Sequence, residues 1–187
     1  MRPLARRTFV AGAALAPLWL LAERTQATLM GGLSLPALLA QSQHVVLLTG
    51  LSVRCITVAI AGRPAIVTET RARVEDVYAM SAPSSAEVSV RTLGGVLDGV
   101  GELVHGQAEL AIGAQCLLFL TRAPDDSLWV SGMAQGHYPV VAAANSELRL
   151  AVSPRLPTLR DFEHSAVRAL VGQELSRARR LISEAAR

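Results

Sequence analysis

The 187-residue sequence predicts a mainly β fold: a small closed antiparallel β-barrel, with a short helix before it and a long amphipathic helix after it. Three observations lead there. Runs rich in β-branched residues recur between His44 and Val152, with turn signals between them. Two of these runs, 65–78 and 87–92, alternate apolar and polar residues, as half-buried antiparallel strands do. Glycines at 94, 95, 99, 101, 106 and 113 lie between the strand-like run 87–92 and the run 115–122, where a tightly coiled sheet needs turns and bulges.

The chain divides into an export signal at 1–27, a linker with a short helix at 28–43, the β-barrel at 44–153 and the C-terminal helix at 154–187. The leader has a positive start, an apolar run from Thr8 to Ala22 and small residues near a polar end. That run is 15 residues long and holds Pro17, short of the roughly 20 apolar residues of a membrane span, so no permanent span is expected once the signal is cleaved. Arg6-Arg7 followed by Thr-Phe-Val resembles a twin-arginine signal, although no Ser precedes the pair and no Lys follows it. The implied location is periplasmic or secreted.

Ser34 is a candidate N-cap and Pro36 a first-turn residue of a helix ending near Gln43. The run 44–60 is too long for one flat strand, and Gly50 marks its bulge or bend. Residues 61–64 form a turn into the strand 65–78, with Thr68, Thr70, Ala72 and Val74 on one face and Glu69, Arg71, Arg73 and Glu75 on the other. Residues 80–86 form a loop and 87–92 a strand. Later strands are expected at 115–122, 128–134, 138–142 and 147–152, with 123–127 turning the first two into a hairpin. From Thr158, apolar residues at three- and four-residue steps predict one helix of about 25 residues.

The bulk composition excludes several functions. Hydrophobic residues make up 51% and aromatic residues 4%, so the core is aliphatic. All 18 basic residues are arginine. Without residues 1–27 the chain carries fourteen arginines against fourteen acidic residues, so the net charge of +3 falls to zero. Nucleic-acid binding, which needs a concentrated basic face, is not expected. Arg71, Arg73 and Arg91 could line an outer strand face as an anion patch, against the commoner outcome of a solvated face.

No motif specifies a reaction. The spacing of Gly99, Gly101 and Gly106 is wrong for a dinucleotide loop, and strand-like residues follow. Gly101 and Gly106 have the outer spacing of a phosphate loop, but Gln107 stands where its lysine belongs. Around Ser52 the nucleophile-elbow pattern is broken at Arg54. No pair of histidines has the spacing of a local zinc site. His105 and His137 lie in or beside glycine-bearing turns; they are candidates for a metal site with Glu102, or plain turn histidines. Cys55 and Cys116, the only cysteines, are compatible with one disulfide or with two free thiols. Trp129 and Tyr138 read as core or rim residues. No catalytic residue and no cofactor is assigned.

Four stretches, Arg71–Tyr78, Glu87–Gly95, Ile112–Leu120 and Gly132–Tyr138, resemble exported bacterial proteins of uncharacterised role over about residues 34–142. The order of the strands is also similar to netrin-like and tissue-inhibitor-of-metalloproteinase domains, which implies a five-stranded OB-type barrel with flanking helices. The inhibitors' N-terminal cysteine wedge has no counterpart, because residues 28–43 contain no cysteine, so a protease-inhibitor role does not transfer. The expectation is a non-enzymatic extracytoplasmic module that binds a protein or envelope partner. The alternative is a metal-binding or hydrolytic enzyme with a site assembled from dispersed residues such as His105, His137 and Glu102.

Overall fold

A computed structural model describes residues 29–144 and 146–187; the expected leader at 1–27 lies outside them. The fold is mainly β. It opens with a short strand β1 (Leu29–Gly31) and a helix α1 (Leu35–Ala40). Ser34 caps the helix, its Oγ accepting from the Ala37 N–H at 3.3 Å, and Pro36 sits in the first turn.

The dominant element is a hairpin of β2 (His44–Ile60) and β3 (Arg63–Met80), paired along their whole lengths. Its two-residue tip, Ala61 (φ 48°) and Gly62 (φ 77°), is left-handed at both positions, which suits the right-handed twist of the strands. Register shifts at Val45/Val46, Leu47/Leu48 and Gly50/Ser52 bend β2. Next come β4 (Glu87–Leu93), the small hairpin β5 (Gly95–Leu97) and β6 (Val100–Glu102), then β7 (Gln115–Arg122) and β8 (Leu128–Val130).

The pairings among the large strands return on themselves. β7 pairs with β2, β2 with β3, β3 with β4, β4 with β8, and β8 again with β7. All are antiparallel except β4–β8, which corrects the expected all-antiparallel arrangement. The cause is connectivity: β4 reaches β7 through the long crossover 94–114, and the β7–β8 hairpin then lays β8 beside β4 in the same direction. The strand expected at 128–134 stops at Val130. Gly132 is left-handed (φ 64°) and starts a 3-10 turn, Met133–Gly136, which leads into β9 (His137–Ala142) and β10 (Leu148–Leu150).

Two apolar clusters share β2 and β7. Val46, Leu48, Ala72, Val90, Leu118 and Leu120 form one cluster on one face of the sheet. Val45, Leu47, Leu117 and Phe119 point the other way, against Leu38, Tyr138, Leu170 and Ile182. Both faces of these strands are covered, which explains their near-continuous apolar runs.

The single C-terminal helix is corrected. Thr158–Arg160 form β11, parallel to β1, and Asp161 is left-handed (φ 59°) ahead of a 3-10 turn at Phe162–His164. Two separate helices follow, α2 (Ala166–Leu170) and α3 (Leu175–Ala185). Ser165 starts α2, its Oγ accepting from the Arg168 N–H at 3.2 Å. Between the helices Gly172 is left-handed (φ 81°) and the backbone turns to the edge of β10: Gly172 N–H donates to Leu150 O at 2.7 Å and Leu150 N–H to Gln173 O at 2.9 Å. Those bonds replace the next helical turn. The apolar period survives because Val167, Leu170, Ala178 and Ile182 all face one core.

Candidate functional site

The glycine stretch does two things. It turns the chain, and it walls a cleft of about 720 Å³. At the start, Gly95 (φ 136°) packs its backbone against the long hairpin; a Cβ there would lie 2.7 Å from both Cys55 Sγ and Thr68 Oγ1. The Gly94 N–H donates to Ile66 O at 2.8 Å, and Thr68 Oγ1 donates to Gly94 O at 2.8 Å. Asp98-Gly99, both with positive φ, turn β5 into β6. Glu102 then accepts the Ile66 N–H through Oε2 at 2.9 Å. Glu102 is therefore occupied in holding the small hairpin to β3.

The cleft lies between the far half of the long hairpin and the segment that follows β6. Val53 and Thr68 of the hairpin line it, with Leu103, Val104, Ala108 and Leu110 of that segment. Its rim is apolar and open to solvent: Val53 is 47% exposed, Val96 67% and Leu103 66%. Glu109 pairs with Arg155 at 2.7 Å, and His105 lies exposed at the edge.

The two candidate histidines are not equivalent. His137 is 2% exposed and hydrogen-bonds through Nδ1 with Ser153 Oγ at 2.9 Å. Burial pushes its imidazole down to about 4, against a smaller opposing pull from the Glu109 charge, so it is neutral near pH 7. His137 is a packed residue at the start of β9, and no three His, Cys, Asp or Glu side chains gather among the described residues. His44, also buried, hydrogen-bonds through Nδ1 with the Ser81 carbonyl at 2.7 Å.

Cys55 and Cys116 are both free. Cys116 faces Leu48 across the β2–β7 pair, whereas Cys55 faces Thr68 on the far half of the hairpin. Burial pushes the Cys116 thiol up to about 12, so it is a core hydrophobe without nucleophilic character.

The arginine face contains a group that alternation alone does not reveal. Glu69 sits on the outer face with Arg71 and Arg73 yet is only 7% exposed. It lies in register between Arg54 and Arg91 on the neighbouring strands. Arg54 donates to its Oε1 at 2.5 Å and Arg91 to its Oε2 at 3.0 Å; Arg91 continues to Asp125 at 2.9 Å. Burial alone would raise the Glu69 carboxyl, but the two arginines outweigh it and hold it below its usual value. Arg71 pairs with Glu87 at 3.1 Å and Arg73 with Glu75 at 2.9 Å. The three arginines are thus neutralised within the sheet, and the face is no anion patch.

Trp129 is half-buried and donates from Nε1 to Ser127 Oγ at 2.8 Å; Tyr138 is core, edge-on to Phe119 at 6.0 Å. Sequence reasoning missed the β5–β6 hairpin, although Asp98-Gly99 between Val-Leu and Val is a short-hairpin signal. No family model matches this chain, and no curated protein matches it.

Proposed function

We propose that the chain is an exported, non-enzymatic binding module built on a small closed OB-type β-barrel, and that the cleft beside the glycine stretch receives a protein or envelope partner. The ring of five strand pairings and the apolar cluster on one face of its strands support the barrel. The leader pattern supports a periplasmic or secreted location. Among the described residues no helix is long and apolar enough to cross a membrane.

One observation carries the binding reading: Val53, Val96 and Leu103 hold apolar side chains about half to two-thirds exposed around one concave surface. Scattered apolar exposure is ordinary, but a cluster at a cleft marks an interaction site. The two carboxylates nearby are spent on structure, Glu102 on Ile66 and Glu109 on Arg155.

A photo-crosslinking residue placed at Val96 in the full chain, expressed in its native compartment, tests this. A discrete adduct, absent when the same residue replaces Arg180 on α3, supports the reading. Equal labelling from both positions contradicts it.

A further inference from the structure

Among the described residues the far half of β2 is an open sheet edge. β7 covers β2 only from His44 to Thr49, and Gly50 makes one isolated bridge to Ile112. From Ser52 to Ile60 the strand is paired on the β3 side alone among the described residues. Each residue carries a backbone donor and acceptor, and in an antiparallel pair alternate residues turn theirs away from the partner. A ladder of unpaired N–H and C=O groups therefore faces outward along this stretch.

Natural edges are usually blunted by lysine, proline, an inward-pointing charge or a cover. Among the described residues this one has none of those. Ser52–Ile60 holds five β-branched residues and a single charge, Arg54, which is bound to Glu69. The other edge of the hairpin is managed differently. At Ile66 the β3 backbone is met on both groups, by Gly94 N–H and by Glu102 Oε2. The fold closes one edge of its longest hairpin there and leaves the other open.

The cleft adjoins the open stretch of β2, because Val53 lines it together with Leu103 and Leu110 of the crossover. Its carboxylates are already paired, so the occupant it suits is neutral along the inserted length. A free ladder beside an apolar hollow is the geometry of strand addition, in which backbone bonds supply affinity and pockets for alternate side chains supply specificity.

We infer that the partner is an extended, uncharged polypeptide segment that adds as a strand to β2 between Ser52 and Val58 and drops alternate apolar side chains into the cleft. The inference rests on reading the cleft as the binding site. It goes further by fixing the chemistry of the partner as main-chain polypeptide.

Octapeptides selected from a random display library on the full chain, then synthesised, are the probe. Methylating backbone nitrogens on the two alternate sets of peptide positions separates strand addition from side-chain binding alone. One set is expected to weaken binding about tenfold or more per methyl, as loss of a main-chain hydrogen bond with added steric conflict does; the other set is expected to change it less than about threefold. Equal tolerance of both sets, or failure to select any peptide, overturns strand addition. So does a dimer in sedimentation velocity that Val58→Lys dissolves, because the edge then belongs to a second copy. Concentration-independent protection of the whole edge in the free chain also overturns it, because residues 1–28 then hold the place. If strand addition fails while the Val96 crosslink persists, the binding module stands with a partner that is not an extended peptide.

Discussion

Gly50 and Ala111 approach so closely that no side chain fits between them: a Cβ on Gly50 would lie 2.5 Å from the Ala111 carbonyl oxygen. At the same point the Gly113 N–H donates to Gly50 O at 2.8 Å, and the register of β2 slips between Gly50 and Ser52. This contact is where β2 leaves β7 and becomes the free arm beside the cleft. Gly50→Ala is expected to cost about 2 kcal/mol, because the obstacle is backbone and the crossover must move. Denaturant unfolding measures it, and faster amide exchange at Gly113 locates the damage. Unchanged stability would show that the crossover adapts freely.

Glu69 should outweigh either arginine alone. Removing its carboxylate leaves Arg91, 19% exposed at its side chain, with only the exposed Asp125 as partner, so Glu69→Ala is expected to cost about 2 kcal/mol. Arg54 is 70% exposed at its side chain, so Arg54→Ala should cost under about 1 kcal/mol. Equal losses for the two variants would contradict the assigned geometry.

His137 gives the fold a pH dependence of known sign. The unfolded chain takes a proton at His137 near pH 6.5 and the folded chain only near about 4, so the His137 contribution to stability falls as pH drops through that window and levels off below it. The full loss is on the order of 3 kcal/mol. Glu69 acts lower, from its ordinary value of 4.5 downward, so the upper part of the window reports His137. In His137→Gln the slope between pH 6.5 and 4.5 should flatten in denaturant titrations.

The two thiols should differ in access. In native protein a thiol reagent is expected to modify Cys55, which is partly exposed, and to spare Cys116 until the chain unfolds. Two thiols per chain should react in denaturant without prior reduction. No reactive thiol in denaturant would place the two cysteines in a bridge.

Tyr138 has a buried hydroxyl with no hydrogen-bond partner among the described residues. Tyr138→Phe removes the unpaired group and keeps the edge-on contact with Phe119. The variant should be as stable as the parent or about 1 kcal/mol more stable.

Local pattern carried the sequence reading a long way. The alternation in β3 and β4, the cap and proline of α1, and the bulge at Gly50 all depend on near neighbours in the chain. What escaped depends on distant ones. The apolar period after Thr158 is real, but the edge of β10 takes the backbone at 172–173 and breaks the helix. Glu69 reads as an outer-face residue, and only the register of three strands shows that two arginines cover it. The glycines between 94 and 106 read as turns; the cleft exists because the segment they shape returns alongside β2. His137 reads as a turn histidine or a metal candidate and Cys116 as a free thiol or half of a bridge; both are core, since burial is set by which strands stack on them.

Amide exchange along β2 tests the binding account most directly. In the free full chain, alternate amides between Ser52 and Val58 should exchange rapidly, while those bonded to β3 remain slow. Saturation with a selected octapeptide should slow the fast set at least about tenfold and leave β9 and β10 unaffected. A fast set that does not respond to bound peptide, or an edge with every amide already slow, would contradict the assignment of this cleft and edge as the binding site.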